Sequence, residues 1–341
     1  DHVFSALLNR AAAATLLILA ACAYRALFAK APKWSRLLLW ALAGLRLCLP
    51  FSIQSAWSLV PSEKILDYET AQYAAKPEIT SGIAALNRAV NPAFGESFAA
   101  TPAASANPLQ IWMHLAGIVW AIGVLALLLA ALVSVWKLRR RVRSSIELTE
   151  GVRLCDAIDT PFLLGLFRPT VYLPSQLPQQ ERDVVLAHEA AHKMHGDCLW
   201  KPLGYGILCV YWFYPPAWLG YALFCRDLEL ACDERVVKAF SLEEKKRYAS
   251  VLLSCSVPRG SFPVCPLAFG EVDVKERVKR VLDKKPAKVL AALALAVCIA
   301  IGACFLTAKQ DAQIYGLSAG SYVMDEADAV QLLPSRVTFR M

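Results

Sequence analysis

Apolar residues fall in long unbroken runs, and the runs set the first reading of the chain. Four of them, about Val3 to Phe28, Leu37 to Val60, Ile111 to Trp136 and Val289 to Ala308, are long enough to cross a bilayer, which takes roughly 20 apolar helical residues. A fifth, Leu199–Phe224, is also strongly apolar, but Pro215-Pro216 falls past its middle, and consecutive prolines remove helix hydrogen bonds. It reads as two shorter helices that dip into the membrane or lie on it. Between the third span and the last the pattern turns polar. Val152–Cys155 and Thr170–Leu173 have strand character around the turn-like Pro161 and Arg168-Pro169, which predicts a small hairpin or sheet. Glu181–Met194 reads as a helix opening behind Pro178 and stopping at Gly196, and Asp227–Phe240 as a second helix. The expected fold is a mainly α membrane protein with about four transmembrane helices and an α+β domain.

Charge adds direction to this pattern. Arg25, Lys30, Lys33 and Arg36 crowd the first connection, Lys137, Arg139, Arg140, Arg141 and Arg143 follow the third span, and Lys275, Lys279, Arg280, Lys284, Lys285 and Lys288 precede the last. Ser62–Asn107 is instead mildly acidic and rich in Ala, Pro and Ser. Cytoplasmic loops carry the excess of basic residues, so all three clusters are expected inside. The chain then divides into two transmembrane helices (1–60), an extracellular loop (61–110), a third span (111–136), a cytoplasmic domain (137–288, with 199–224 membrane-associated), a last span (289–308) and a short outer tail (309–341). The expected location is a bacterial cell membrane, with both ends outside. A full crossing at 199–224 would send the last basic cluster outside, against the rule. Arg46 lies about ten residues, or roughly 15 Å of helix, beyond Arg36. That puts it near mid-bilayer, where snorkelling, a shifted span boundary and a functional role are the alternatives.

Composition agrees with the membrane class: of 341 residues, 57% are hydrophobic and 19% charged. The net charge of +8 would suit nucleic acid, but the bases sit beside the apolar spans, so no direct nucleic-acid binding is expected. The eleven cysteines are scattered without a CxxC pair, which argues against a disulfide framework or a cysteine zinc ribbon. The chain opens on Asp1 and nothing near it reads as a cleavable signal peptide, so a fragment or trimmed chain is expected.

The chemistry concentrates in His188-Glu189-Ala190-Ala191-His192. Four-residue spacing puts both imidazoles on one face of a helix, where two neutral nitrogens can converge on one Zn2+. Glu189, offset by one residue, can reach the position left open for water, take a proton there and pass it to a leaving amine. A catalytic zinc usually needs a third protein ligand. The acidic patch Asp227–Glu234 offers Glu229 and Asp233, four apart on one face; one carboxylate can bind metal while the other orients a histidine through its free ring N–H. The competing reading is carboxylates complementing a helix N-terminus. His195 could approach the site but reads rather as a C-terminal helix cation or a polar contact, Asp197 as an acid fixing a neighbouring group or a basic side chain and not as a zinc ligand, and Cys232 as a packed small residue.

His188–His192, then Asp197, Trp212-Phe213-Tyr214-Pro215 and Glu229–Glu234, preceded by Thr160-Pro161-Phe162, Gly165 and Arg168–Pro174, resemble peptidase family M56 of the bacterial antirepressor type, which includes the β-lactam sensor-transducers. The likeness covers most of the chain. It implies a gluzincin-like zinc protease domain in the cytoplasm, with His188, His192 and Glu229 as ligands, Glu189 as catalyst and activation from outside the cell. The family's sensors cut themselves before the last span and cause loss of a DNA-binding repressor. They also carry a penicillin-binding domain after that span; Lys309–Met341 holds no S-x-x-K motif, so β-lactam sensing is not expected. The expected function is a signal-regulated zinc metalloendopeptidase acting on itself or on a protein substrate such as a cytoplasmic repressor, with a homodimer as a further expectation. A housekeeping membrane-protein protease and a non-catalytic zinc-binding receptor are the alternatives. The strand around Arg168–Leu173 is expected to align an extended substrate at the sheet edge.

Overall fold

The computed structural model describes residues 2–49, 54–55, 57–60, 66–80, 84–99, 107–256, 274–283 and 288–309. The expected outer tail beyond Lys309 and parts of the 61–110 loop lie outside the described residues, as do Lys284 and Lys285 of the last basic cluster. The helices are α1 (His2–Leu27), α2 (Lys33–Cys48), α3 (Tyr68–Ala71), α4 (Ala84–Ser97), α5 (Pro108–Arg141), α6 (Gln179–His195), α7 (Asp197–Val210), α8 (Pro215–Val236), α9 (Leu242–Ser256), α10 (Val274–Leu282) and α11 (Lys288–Phe305). The strands are β1 (Gln54–Ser55), β2 (Ile146–Thr149), β3 (Val152–Cys155), β4 (Phe162–Leu164), β5 (Thr170–Pro174) and β6 (Ala308–Lys309).

Among the described residues three helices, α1, α5 and α11, are long and apolar enough to cross a membrane. The expected second span is shorter than predicted. Its helix stops at Cys48, because Leu49 precedes Pro50 and adopts the extended conformation (ψ 125°) that a following proline imposes. The 16 residues of α2 measure about 24 Å, less than a bilayer core of roughly 30 Å. The described residues of the rest of that run lie beside the end of α11: β1 pairs in parallel with β6, and Leu59 N–H donates to the Cys304 carbonyl at 2.8 Å. In contrast, α5 is 34 residues long, starts on an Asn107 cap with Pro108 in its first turn, and carries Arg139, Arg140 and Arg141 at its end.

The apolar run at 199–224 breaks at Tyr211–Tyr214, and Pro215 begins α8 where its missing N–H costs nothing. Lys201 meets Glu229, Gly204 faces Phe224 and Tyr205 packs on Tyr221, so α7 and α8 are antiparallel, a helical hairpin. Its apolar core includes Leu7, Ala11 and Ala14 of α1 and Leu47 of α2, with Trp120 and Leu127 of α5 packed against it. The tip is pinned by hydrogen bonds from Trp212 Nε1 to the Trp120 carbonyl, from Tyr211 Oη to the Leu47 carbonyl, and between Tyr214 and Thr15.

The four-stranded sheet has the order β2-β3-β5-β4. The two strands expected from sequence do not form a hairpin with each other: β3 and β5 pair in parallel, and β4, a strand not anticipated, returns antiparallel on the far side of β5. Thus β5 is internal, and the expectation that the strand around Arg168–Leu173 aligns a substrate at the sheet edge is corrected; the edges are β2 and β4. Val171 and Leu173 pack with Leu177, Val185 of α6 and Val251 of α9, which seats α6 against the sheet and beside β4.

Candidate metal centre

The predicted helix behind Pro178 is α6, closed by Gly196 in the left-handed conformation (φ 70°), as a residue after a helix C-terminus commonly is. His188, Glu189 and His192 are buried on it, whereas Ala190 is exposed. The two Nε2 atoms stand 3.1 Å apart. Glu229 Oε2 lies 3.6 Å from that of His188 and 3.5 Å from that of His192. Tetrahedral ligands at about 2.0–2.1 Å from zinc lie roughly 3.4 Å from one another, so these three atoms have the spacing such an ion requires.

Each histidine is held from behind. Asp197, the first residue of α7, takes the His192 Nδ1 proton at 2.6 Å. His188 Nδ1 donates to the Tyr248 hydroxyl at 2.8 Å, and that hydroxyl donates to Asp233 Oδ1 at 2.7 Å. Burial and the Asp233 carboxylate push the Tyr248 phenol up, so it remains a donor. Both chains of hydrogen bonds keep a proton on each Nδ1, so in the neutral form the Nε2 lone pairs face Glu229. Glu189 is 7% exposed, and among the described residues no hydrogen bond or ion pair engages its carboxylate.

Buried carboxylates and two cations, Lys201 and Arg277, set the electrostatics of the cluster, with Arg277 Nη1 3.7 Å from Glu229 Oε2. Burial pulls the His188 pKa down, but Cys232, Glu229 and Asp233 outweigh it and push it up to about 10. Burial raises the Glu229 carboxyl, but Lys201 and His192 hold it well below the usual range. Lys201 Nζ binds Oε1 of Glu229 at 2.7 Å and leaves Oε2 facing the histidines. Arg277 of α10 forks onto Asp233 (Nε to Oδ2 2.7 Å, Nη2 to Oδ1 2.8 Å) and brings Nη2 to 3.4 Å from His188 Nε2.

The structure brings together the predicted His188, His192, Asp197, Glu229 and Asp233, and Glu189 is buried next to His188 on α6. His195 is exposed on the last turn of α6 and stays out of the cluster. Cys232 lies closer than expected for a packing residue, its Sγ 3.7 Å from His188 Nδ1, and it forms a second possible metal-binding group with the two histidines. Cys232 faces the His188 ring nitrogen that meets Tyr248, whereas Glu229 Oε2 faces the Nε2 atoms of both histidines. The acidic patch also does not open a helix. Pro215 marks the N-terminus of α8, so Asp227–Glu234 occupies its second half, where the helix dipole disfavours carboxylates. Side chains compensate them instead. Fully buried Asp227 accepts from Arg25 (2.8 Å), Arg36 (3.1 Å) and Trp40 Nε1 (2.8 Å), which spends part of the first basic cluster. Tyr248, Lys201 and Arg277 had no local sequence signal; Arg277 sits unmarked among the bases before the last span.

The chain is thus mostly helical, with three candidate membrane spans among the described residues, a small sheet and a buried His–His–carboxylate cluster on facing helices. The chain belongs to the BlaR1 peptidase M56 family, which matches residues 3–281. It is similar to the methicillin resistance mecR1 protein of Staphylococcus aureus, 27% identical over 131 residues, covering 36% of this chain and 22% of that protein. The mecR1 protein of Staphylococcus epidermidis matches equally. Regulatory protein BlaR1 of Bacillus licheniformis is 26% identical over 159 residues, covering 40% of this chain and 26% of that protein. The chain thus spans about a quarter of the length of the curated relatives it matches.

Proposed function

We propose that the chain is an integral-membrane zinc metalloendopeptidase, with His188, His192 and Glu229 holding the ion and Glu189 acting as general base and acid. The observation that carries this reading is the convergence of two Nε2 atoms and one carboxylate oxygen within 3.1–3.6 Å, each imidazole fixed from behind. When bound, zinc supplies the Lewis acidity that polarises a scissile carbonyl. Asp197 and Tyr248 hold the imidazoles in one tautomer and orientation. Glu189 takes the proton of the attacking water and delivers it to the departing amine, and its carboxylate is not tied up by another side chain. An extended substrate adds to β4, the sheet edge beside α6.

The site faces the cytoplasm in this reading, and α7–α8 is a re-entrant hairpin that returns the chain to the same side. The names of the relatives, a methicillin resistance protein and a regulatory protein, support a signalling role, and self-cleavage or cleavage of a cytoplasmic repressor is the reaction proposed for it. Metal analysis of the purified chain tests the ligand set. About one zinc per chain is expected in wild type and Cys232→Ala, with loss of most of it in Glu229→Gln. Zinc retained by Glu229→Gln but lost from Cys232→Ala would reverse the assignment of the third ligand.

A further inference from the structure

A cavity of about 390 Å³ lies between the end of α5 and the sheet, away from the candidate metal centre. Arg139, Arg143, Arg153 and Arg168 line it, with no acidic side chain among the lining residues. None of the four forms an ion pair or side-chain hydrogen bond among the described residues, and Arg153 Nε is buried without a partner. Four guanidinium groups around one space repel each other, an arrangement that an anion relieves. Gly165 at the rim keeps the turn after β4 tight: its φ of 120° favours glycine, and a Cβ there would stand 2.5 Å from the Arg168 carbonyl oxygen.

The surroundings say which anion. Trp136, half exposed, carries Arg140 stacked 3.8 Å over its ring less than a turn from Arg139, as aromatic residues do where hydrocarbon meets headgroups. On the membrane side of that mark α5 exposes Leu128, Leu129, Leu132 and Val133. At the tip between β4 and β5, Leu166 and Phe167 are exposed, Phe167 by 89%, directly before Arg168. Apolar surface above, arginines below and an exposed aromatic at the rim match an amphiphile better than a free anion. We propose that this cavity binds the phosphate headgroup of an anionic phospholipid, with the acyl chains against α5 and Phe167 set into the interface.

The test is native mass spectrometry of the full chain released from detergent micelles containing phosphatidylglycerol or phosphatidylcholine. Expected is retention of phosphatidylglycerol over phosphatidylcholine, weakened roughly fivefold or more by Arg143→Gln and by Arg168→Gln. Both side chains are exposed, so neither substitution threatens the fold, and unchanged thermal unfolding checks this. Lys137→Gln, at the same helix end but outside the cavity, leaves retention unchanged. Equal retention of the two lipids, or equal losses with Lys137→Gln and Arg143→Gln, would reduce the effect to diffuse charge and overturn the site. Displacement of the lipid by millimolar inorganic phosphate would make it a site for a soluble anion and overturn the lipid assignment.

Discussion

His188 and His192 stand one helical turn apart, yet different devices hold them. His192 has a direct carboxylate, Asp197, whereas His188 reaches Asp233 through the Tyr248 hydroxyl. Removing such supports typically costs 10–100-fold in metal affinity. Tyr248→Phe keeps the buried ring and deletes only the relay, so zinc affinity should fall by about that factor while the fold persists. A competition titration with a fluorescent chelator reads it, and wild-type affinity in Tyr248→Phe would show the relay to be idle. The elevated His188 pKa implies proton release on metal uptake. At pH 7.5 the metal-free imidazole is charged and the metal-bound one neutral, so affinity should fall as pH drops. Calorimetric heats should differ between phosphate and Tris by about one buffer ionisation per zinc or more; identical heats would contradict this. At this scale the sequence carried the HExxH face and the acidic pair. It could not reveal Tyr248, 60 residues from its histidine, or Arg277, 89 away, since neither has a local pattern.

At the scale of elements, α8 joins the apolar helical hairpin to the site as one uninterrupted helix. Periodicity split it in two because its composition changes from apolar to acidic near Arg226, while the backbone has no reason to break there. Asp227 shows what the continuity needs: a buried carboxylate shared by two arginines and a tryptophan clamps α8 to α1 and α2. Asp227→Ala leaves buried Arg36 uncompensated and should destabilise by about 3–5 kcal/mol, read as a lowered thermal midpoint. A midpoint unchanged from wild type would mean the clamp contributes nothing. The hairpin tip has a different lock. A Cβ on Gly123 would fall 2.2 Å from the Trp212 ring, so Gly123→Ala should loosen the tip at a cost of about 1–3 kcal/mol. Increased hydrogen exchange confined to Tyr211–Tyr214 and its neighbours is the expected signature, and unchanged protection there would refute it. The short α2 and the internal position of β5 were hidden for a related reason. Hydropathy does not register a proline-imposed chain turn, and strand propensity does not say which strand is the neighbour.

Across the whole molecule, the apolar runs of the sequence marked the helices that can span a membrane and the polar stretch that holds the site. Tertiary structure added that the site is assembled from four helices, α6 through α8 and α10, with α9 contributing the tyrosine behind it. The first basic cluster taken as a topological marker is partly spent on this assembly, Arg25 and Arg36 on Asp227, and Arg277, outside the marker clusters, pairs with Asp233. The central claim is that these elements form a working hydrolytic centre with Glu189 as its base. The direct measurement is cleavage by purified wild type beside Glu189→Ala in nanodiscs, with zinc content measured on both and a candidate cytoplasmic regulator present. About one zinc per chain in each, with cleavage of the chain or of the regulator in wild type alone, is the predicted result. Equal cleavage by Glu189→Ala, or no zinc in wild type under metal-replete conditions, would contradict the account.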